Sequence, residues 1–504
     1  MNDLLQEAQD LALRGQNLEA AGVYESILEP GASFQADLLH NLTAVLVKGR
    51  KLDRALHCAR AAAFFAPHLA RSWLSLNHIE NKLGLKEDAL ASLYRALEIE
   101  PDNISIQETR LFHLASTLSP LDYRKEAEAW WAALPPAPRT YSTNLPPPGT
   151  KIRIGYVSGD FRLHVMDRFI EAILRHHDYD RFEVFCFDNT PKDARKNCSV
   201  RERLLNLPGP QWIDVADAET TEATQMIVSS KIDVLFDLSG IGAHNRLDLF
   251  RRRPAPLQLT GIGYLNTVGT CFDYRIADVE HQSHYLEPLW KLPSAAAPLP
   301  LCPELPVTPL PALRNGFVTF GYVNGLHKLT LTSIQSFVRL LQQLPSSRLL
   351  MMIPGASDGE TVRAILRRFD PVQEQIIFTE SQGGAAFCNI FKDIDIALDP
   401  APYGGCTTTF DTLYHGVPVA ADASDRRLNA DAHRLQAAFR PLFYDKLEDD
   451  AFDLASDLPQ LASMRGRLRS WIESHAAGQP VQWVKNLEGA YFQMIEKRSL
   501  AAAA

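Results

Sequence analysis

Two architectures in series, a helical solenoid and then a pair of parallel-sheet α/β lobes, are predicted by three observations. Small residues and prolines repeat with a fixed period in the first third of the chain. Alternating strand and helix patterns fill the rest. Two Pro-rich stretches, 134–150 and 293–313, punctuate the sequence. The expected class is α followed by α/β, with 504 residues enough for two to four domains.

The repeat comes first. Ala55, Ala62 and Pro67 recur 34 positions later as Ala89, Ala96 and Pro101, and Leu39 and Leu42 recur as Trp73 and Leu76. A weaker earlier copy has Gly15, Ala20, Tyr24 and Pro30. This period is the tetratricopeptide signature. Small alanines let two antiparallel helices approach closely, and the proline stops the second helix. Three repeats are expected over 3–103, with capping helices to about 133. Such arrays bind proteins or peptides on a concave face, or serve as spacers and dimerisation modules; partner binding is favoured here.

After the linker the period changes. KIRIGYVSGDF, FEVFCFDN, IDVLFDLSG, PLQLTGIGYL and FDYRIADVEH read as strands around the helix FIEAILRHH. Beyond 313, FVTFGYV, SRLLMMIP, EQIIFTE and IDIALD read as strands, and LTSIQSFVRLLQQL and GETVRAILRRF as helices. Alternating units with short connections imply parallel sheets. Two Rossmann-like lobes are therefore expected, with a cleft for ligands between them. The predicted domains are 1–133 (repeats and caps), 134–150 (linker), 151–292 (acceptor-side lobe), 293–313 (interlobe linker) and 314–504 (nucleotide-binding lobe with C-terminal helices).

Composition narrows the class. Hydrophobic content of 46% and charged content of 22% are globular, and a net charge of −9 argues against nucleic acid as the main partner. No apolar run is long enough to span a bilayer, and the acidic N-terminus is not a signal peptide. Seven scattered cysteines without a CxxC pair fit reduced thiols in a cytoplasmic protein and give no zinc site.

The most informative segment is IDIALDPAPYGGCTTTFDTLYHGVP, residues 394–418. A strand enters a turn rich in Pro and Gly, three threonines follow, and a helical pattern then begins at Phe410, with Asp411 in its first turn. Such a turn presents free backbone N–H groups at a helix N-terminus, where partial positive charge favours phosphate. Threonine hydroxyls add donors, and a carboxylate one turn in can bind a ribose hydroxyl. The same residues also serve as ordinary helix caps, and both readings stand on this segment alone. Asp393-Ile394-Asp395 spells a DxD, a metal-holding pattern elsewhere; at the start of a buried strand it reads as structural.

Four blocks resemble the O-GlcNAc transferase family of glycosyltransferases, in its bacterial-type form. They are GYVSGDFRLH (155–164), RPAPLQLTGIGYLNTVGTCFDYRIAD (253–278), FGYVNGLHKLTLTSI (320–334) and DIALDPAPYGGCTTTFDTLYHGVPV (395–419). The resemblance covers nearly the whole chain and implies a GT-B fold joined to the repeats. It implies inverting, metal-independent transfer of a sugar from a nucleotide donor, UDP-linked in the leading reading, to Ser or Thr of a protein chosen by the repeats, with no cofactor. By resemblance, Lys328 holds the diphosphate and stabilises the leaving group, Thr407 and Thr408 bind phosphate, and Asp411 binds ribose. Asn324, Gly405 and Cys406 join that nucleotide-sugar set. His164 matches a histidine at the active-site mouth and is a candidate general base or substrate-orienting group. His327 and His415 are weaker candidates, the latter read as packed or capping. Gly263, Tyr264, Thr267 and Gly269, with Gly261 and Asn266, form a loop whose glycines would let backbone approach donor or acceptor.

Departures from the family pattern fall at Leu265, Gly325, Ile353 and Cys406, so donors other than UDP-N-acetylglucosamine remain open. A flagellin glycosyltransferase using an activated nonulosonic acid and an Asn-directed glucosyltransferase are the enzymatic alternatives. A repeat scaffold with an inactive transferase domain is the non-enzymatic one.

Overall fold

The computed structural model describes residues 2–28, 35–139, 145–147, 149–264, 266–277, 282–293, 305–353, 365–380, 382, 385–400, 404–405, 407–421, 446–474 and 479–503. Leu265, Cys406 and most of the helix expected over GETVRAILRRF lie outside them.

Eight helices lead the chain: α1 (Asn2–Leu13), α2 (Asn17–Ile27), α3 (Gln35–Lys48), α4 (Leu52–Phe65), α5 (Ala70–Lys82), α6 (Lys86–Ile99), α7 (Ile104–Leu114) and α8 (Pro120–Ala133). The small residues of the 34-residue period do what their size suggests. Ala20, Ala55, Ala62, Ala89 and Ala96 are fully buried where paired helices meet. The turn inside each pair passes through the left-handed region, at Gly15, Arg50 and Gly84, a conformation that costs a residue with a Cβ but not glycine.

Among the described residues, twelve strands follow in two sheets. The first contains β1 (Ile152–Ser158), β2 (Phe182–Asp188), β3 (Gln211–Asp214), β4 (Val234–Asp237), β5 (Leu257–Thr260), β6 (Tyr274–Ala277) and β7 (Leu289–Lys291). The second contains β8 (Thr319–Tyr322), β9 (Arg348–Ile353), β10 (Ile376–Glu380), β11 (Ile396–Asp399) and β12 (Val419–Ala421). The orders are β3-β2-β1-β4-β5-β6-β7 and β10-β9-β8-β11-β12, and every pairing is parallel. Both sheets are thus doubly wound, with the order reversing beside β1 and beside β8. Ligands of such sheets bind outside the strand C-termini at that reversal. These are the two Rossmann-like lobes of a GT-B-like fold. Strands β3 and β7 contain no buried residue and β12 has only three residues, and these three were not read from sequence.

The chain divides into two compact units, Met1–Ser116 with Pro303–Arg469, and Thr117–Cys302 with Ser470–Ala504. Repeats α1–α7 therefore belong with the five-stranded sheet, and α8 with the seven-stranded one. The C-terminal helix Pro480–Ala503 also joins the seven-stranded lobe rather than the five-stranded lobe in which the sequence reading placed it. Trp483, Leu487, Tyr491 and Met494 enter the same core as Ile170, Ile173 and Phe182. A buried polar network pins this helix: Glu488 bonds the His177 imidazole at 2.9 Å and accepts from Asp178 N at 2.8 Å, while Tyr156 Oη meets His177 Nε2 at 2.7 Å and Tyr491 Oη at 3.0 Å.

Candidate functional site

In the five-stranded lobe, both loops at the reversal carry predicted residues. After β8 the chain passes Asn324 and makes a 3-10 turn, Leu326–Lys328. After β11 it reaches Gly404, Gly405 and the helix Thr407–Tyr414. Lys328 Nζ donates to Gly404 O at 3.0 Å, so the two loops are tied through the candidate ammonium. The helix starts at Thr407, three residues before the position expected from its apolar pattern, because the threonines themselves take the first turn. Thr407 and Thr408 are half-buried and stand at the helix N-terminus, whereas Thr409 is buried. Asp411 is buried one turn in. His415 is packed and capping: its Nδ1 lies 2.7 Å from Asp411 O and its ring stacks on Phe391.

Asp399, at the end of β11, is the organiser that the sequence reading missed. Its Oδ1 accepts from Gly405 N at 2.6 Å and Asn324 Nδ2 at 3.1 Å, and its Oδ2 accepts from the Thr409 hydroxyl at 3.2 Å. Complete burial pushes its carboxyl up to about 6, against the pull of Lys328 and these bonds. Because Asn324 Nδ2 faces Asp399, its Oδ1 is left buried with no hydrogen-bond partner among the described residues. A buried acceptor without a donor is costly. The only available signal was positional. Strand-ending aspartates recur in FCFD, LFD and ALD, and Asp188 and Asp237 also accept amides of their own following loops, from Thr190 and from Ser239 and Gly240.

Of the DxD pair, Asp395 has both oxygens engaged by backbone, accepting from Ala312 N and Thr319 N at 2.8 Å each. Asp393 lies near the exposed guanidinium of Arg314 at 3.8 Å.

In the seven-stranded lobe, His164 sits in the loop between β1 and the helix Asp167–His176. Its Nδ1 is 3.4 Å from Asp160 Oδ2, and its backbone N donates to Asp167 Oδ2 at 3.4 Å. Burial lowers its pKa, partly opposed by Asp160 and reinforced by Arg162 and His244, so the imidazole is neutral near pH 7. Burial also pushes Asp167 up to about 6.

The 261–269 loop makes its close approaches to protein. A Cβ on Gly263 would stand 1.7 Å from Leu238 O, and one on Gly269 the same distance from the Trp131 ring. Tyr264 is buried, with its hydroxyl 3.2 Å from Tyr123 Oη and its carbonyl accepting from Arg275. Thr267 donates to Glu287 at 2.6 Å, and Glu287 also accepts from Gly269 N at 2.8 Å. Both glycines therefore pack closely on protein, Gly263 against the exit of β4 and Gly269 against α8.

Comparison with known proteins agrees with this fold. The profile of Glycosyl transferase family 41 matches residues 132–293. A lysine-to-methionine mutant of Thermobaculum terrenum O-GlcNAc transferase superposes with a TM-score of 0.87 at 28% identity, covering 99% of this chain and 98% of that one. The chain belongs to the O-GlcNAc transferase family. Among curated relatives, SPINDLY of Arabidopsis thaliana, described as a probable UDP-N-acetylglucosamine–peptide N-acetylglucosaminyltransferase, is 34% identical over 430 residues, 79% of this chain and 46% of that protein. Its Petunia hybrida counterpart is 31% identical over 427 residues, 79% and 45% of the two chains. The chain thus spans about half the length of the curated relatives it matches. No helix among the described residues is long and apolar enough to cross a membrane.

Proposed function

We propose that this protein transfers a sugar from a nucleotide sugar to Ser or Thr of a protein acceptor, with inversion and without a metal. N-acetylglucosamine from its UDP derivative is the leading donor, which the names of the curated relatives support. The observation that carries the reading is the Lys328 ammonium held against the Gly404–Gly405 turn, directly ahead of the Thr407 helix N-terminus. In an inverting displacement the acceptor oxygen bonds to the anomeric carbon as the bond to the diphosphate oxygen breaks. The electron pair leaves on the phosphate, where a fixed cation and unpaired N–H groups stabilise it. Thr407 and Thr408 would bind the phosphates, Asp411 the ribose, and Asn324 Oδ1 a donor group of the nucleotide sugar. The acceptor hydroxyl proton has a candidate destination in the neutral imidazole of His164. The repeats would select the acceptor.

The test is a thermal-shift panel with UDP, UDP-N-acetylglucosamine, UDP-glucose, GDP-sugars and CMP-sugars, since a ligand of the folded state raises the melting temperature. A rise with UDP compounds that Lys328→Ala removes supports the reading. A rise confined to CMP-sugars moves the donor to a nonulosonic acid, and no rise with any of them favours the scaffold.

A further inference from the structure

The repeats bring a group of basic side chains to the Lys328 turn. The left-handed turn between α5 and α6 runs tightly against it: a Cβ at Gly84 would stand 2.8 Å from Leu326 O, and α5 packs on Leu326–Lys328. Two residues after Gly84, Lys86 begins α6 with its Nζ buried and without a hydrogen-bond partner among the described residues. His113, on α7, is held by Asn77 Nδ2, which reaches its Nε2 at 3.1 Å and Ala89 O at 2.7 Å. Lys82 closes the group from the end of α5. Next to burial, His327 feels Lys328, Lys86, Lys82 and His113, which together push its imidazole down to about 4. Among the described residues, Glu87 is the carboxylate that acts on Lys86, and it is exposed.

Taking an ammonium out of water without an acceptor is unfavourable unless it is paired. Neighbouring cations raise that cost. A third repeat that keeps such a group beside a phosphate-binding turn is stabilised once anionic oxygen fills the gap. We propose that Lys86, with Lys82, His113 and the N–H of His327, forms an anion subsite that takes a phosphate or carboxylate group beside Lys328. Two sources fit this chemistry: the donor's own diphosphate, or an acidic group on the acceptor. The first would extend the nucleotide reading and rests on it, and the second stands apart from it.

The probe is inorganic pyrophosphate, titrated into the full chain, Lys86→Met and Lys86→Arg by thermal shift, with Lys328→Ala and UDP in parallel. Lys86→Met should melt at or above the parent temperature when free, because an unpaired buried charge is gone. Its pyrophosphate affinity should fall about tenfold or more, the scale of a lost charge-assisted bond, while Lys86→Arg keeps it. Displacement of pyrophosphate by UDP assigns the subsite to the donor diphosphate. Retention under saturating UDP, with displacement by a Glu-rich peptide, assigns it to the acceptor. Parent-like pyrophosphate affinity in Lys86→Met overturns the subsite, and UDP binding lost only in Lys328→Ala would then leave the nucleotide reading standing.

Discussion

Asp399→Ala removes the acceptor on which the Gly404–Gly405 loop is hung. The Gly405 N–H and the Asn324 amide lose their shared oxygen, whereas the Thr409 hydroxyl keeps a second acceptor in Gly405 O at 2.8 Å. Two stranded buried donors at about 1–3 kcal/mol each give a loss of about 2–6 kcal/mol. The carboxylate's own burial offsets part of this in a pH-dependent way. Its folded pKa, about 6, lies above the ordinary 3.8. The associated stability is therefore fully present below 3.8 and lost as pH rises through about 6, a change of about 3 kcal/mol for a shift of about two units. The cost of Asp399→Ala must then be larger at pH 5 than at pH 7.5. Urea unfolding of the parent, Asp399→Ala and Asp399→Asn at both values reads this directly. Asparagine keeps the oxygen facing Gly405 and should stay within about 1 kcal/mol of the parent at pH 7.5. An alanine variant as stable as the parent, or a gap that widens as pH rises, refutes the reasoning.

Four further outcomes follow from individual residues. Lys328→Ala should leave folding intact and lower sugar transfer about 10²–10³-fold, the scale of one lost transition-state donor, measured by steady-state transfer to peptide. If His164 takes the hydroxyl proton, His164→Ala should cut kcat about 10²–10⁴-fold; because burial lowers its pKa, the parent's acid limb should lie below the ordinary histidine range and vanish in the variant. Arg465 is buried and donates to Thr308 O, Ile394 O and Phe391 O, so Arg465→Met should destabilise by about 3–5 kcal/mol, as expected when the carbonyls lose a buried cation, read as a lower urea midpoint. Arg50→Gly should raise stability by up to about 1 kcal/mol, since Arg50 holds a φ of 59° that glycine adopts freely.

The repeats were legible because their signal is local: a small residue every 34 positions means close helix contact wherever the array sits, and Ala55 and Ala89 are fully buried. The strands of both sheets were legible where they are apolar and buried, even at four residues as in β4 and β11, and not at β3 and β7, which contain no buried residue, or at β12, which has three residues. The destination of the C-terminal helix was not legible. An amphipathic pattern shows that a face is buried but not against which sheet, and the choice was made by Glu488 reaching His177 across more than 300 positions of sequence. For the loop glycines, the pattern showed that backbone must come close to something; that Leu238 and Trp131 are among those neighbours is set by the tertiary fold and not by the local sequence.

The two candidate loops share a physical logic that the motifs alone do not express. β1 and β8 each start a lobe and each become the strand beside which the sheet order reverses. At a reversal the flanking loops diverge to opposite faces and leave the strand C-termini open. His164 and Lys328 both lie in the loop that follows this first strand. The opposing wall is in each case the loop after the strand across the reversal, β4 or β11, and in each case a buried aspartate at that strand's end gathers the amides of its own loop. Asp237 holds Ser239 and Gly240, and Asp399 holds Gly405. Buried carboxylates of this kind are expensive, so both loops are fixed by groups that tolerate little change. For the proposed transfer, rigid amides on one side and basic side chains on the other suit electrostatic catalysis, because dipoles already in place need no reorganisation when charge moves onto the leaving group.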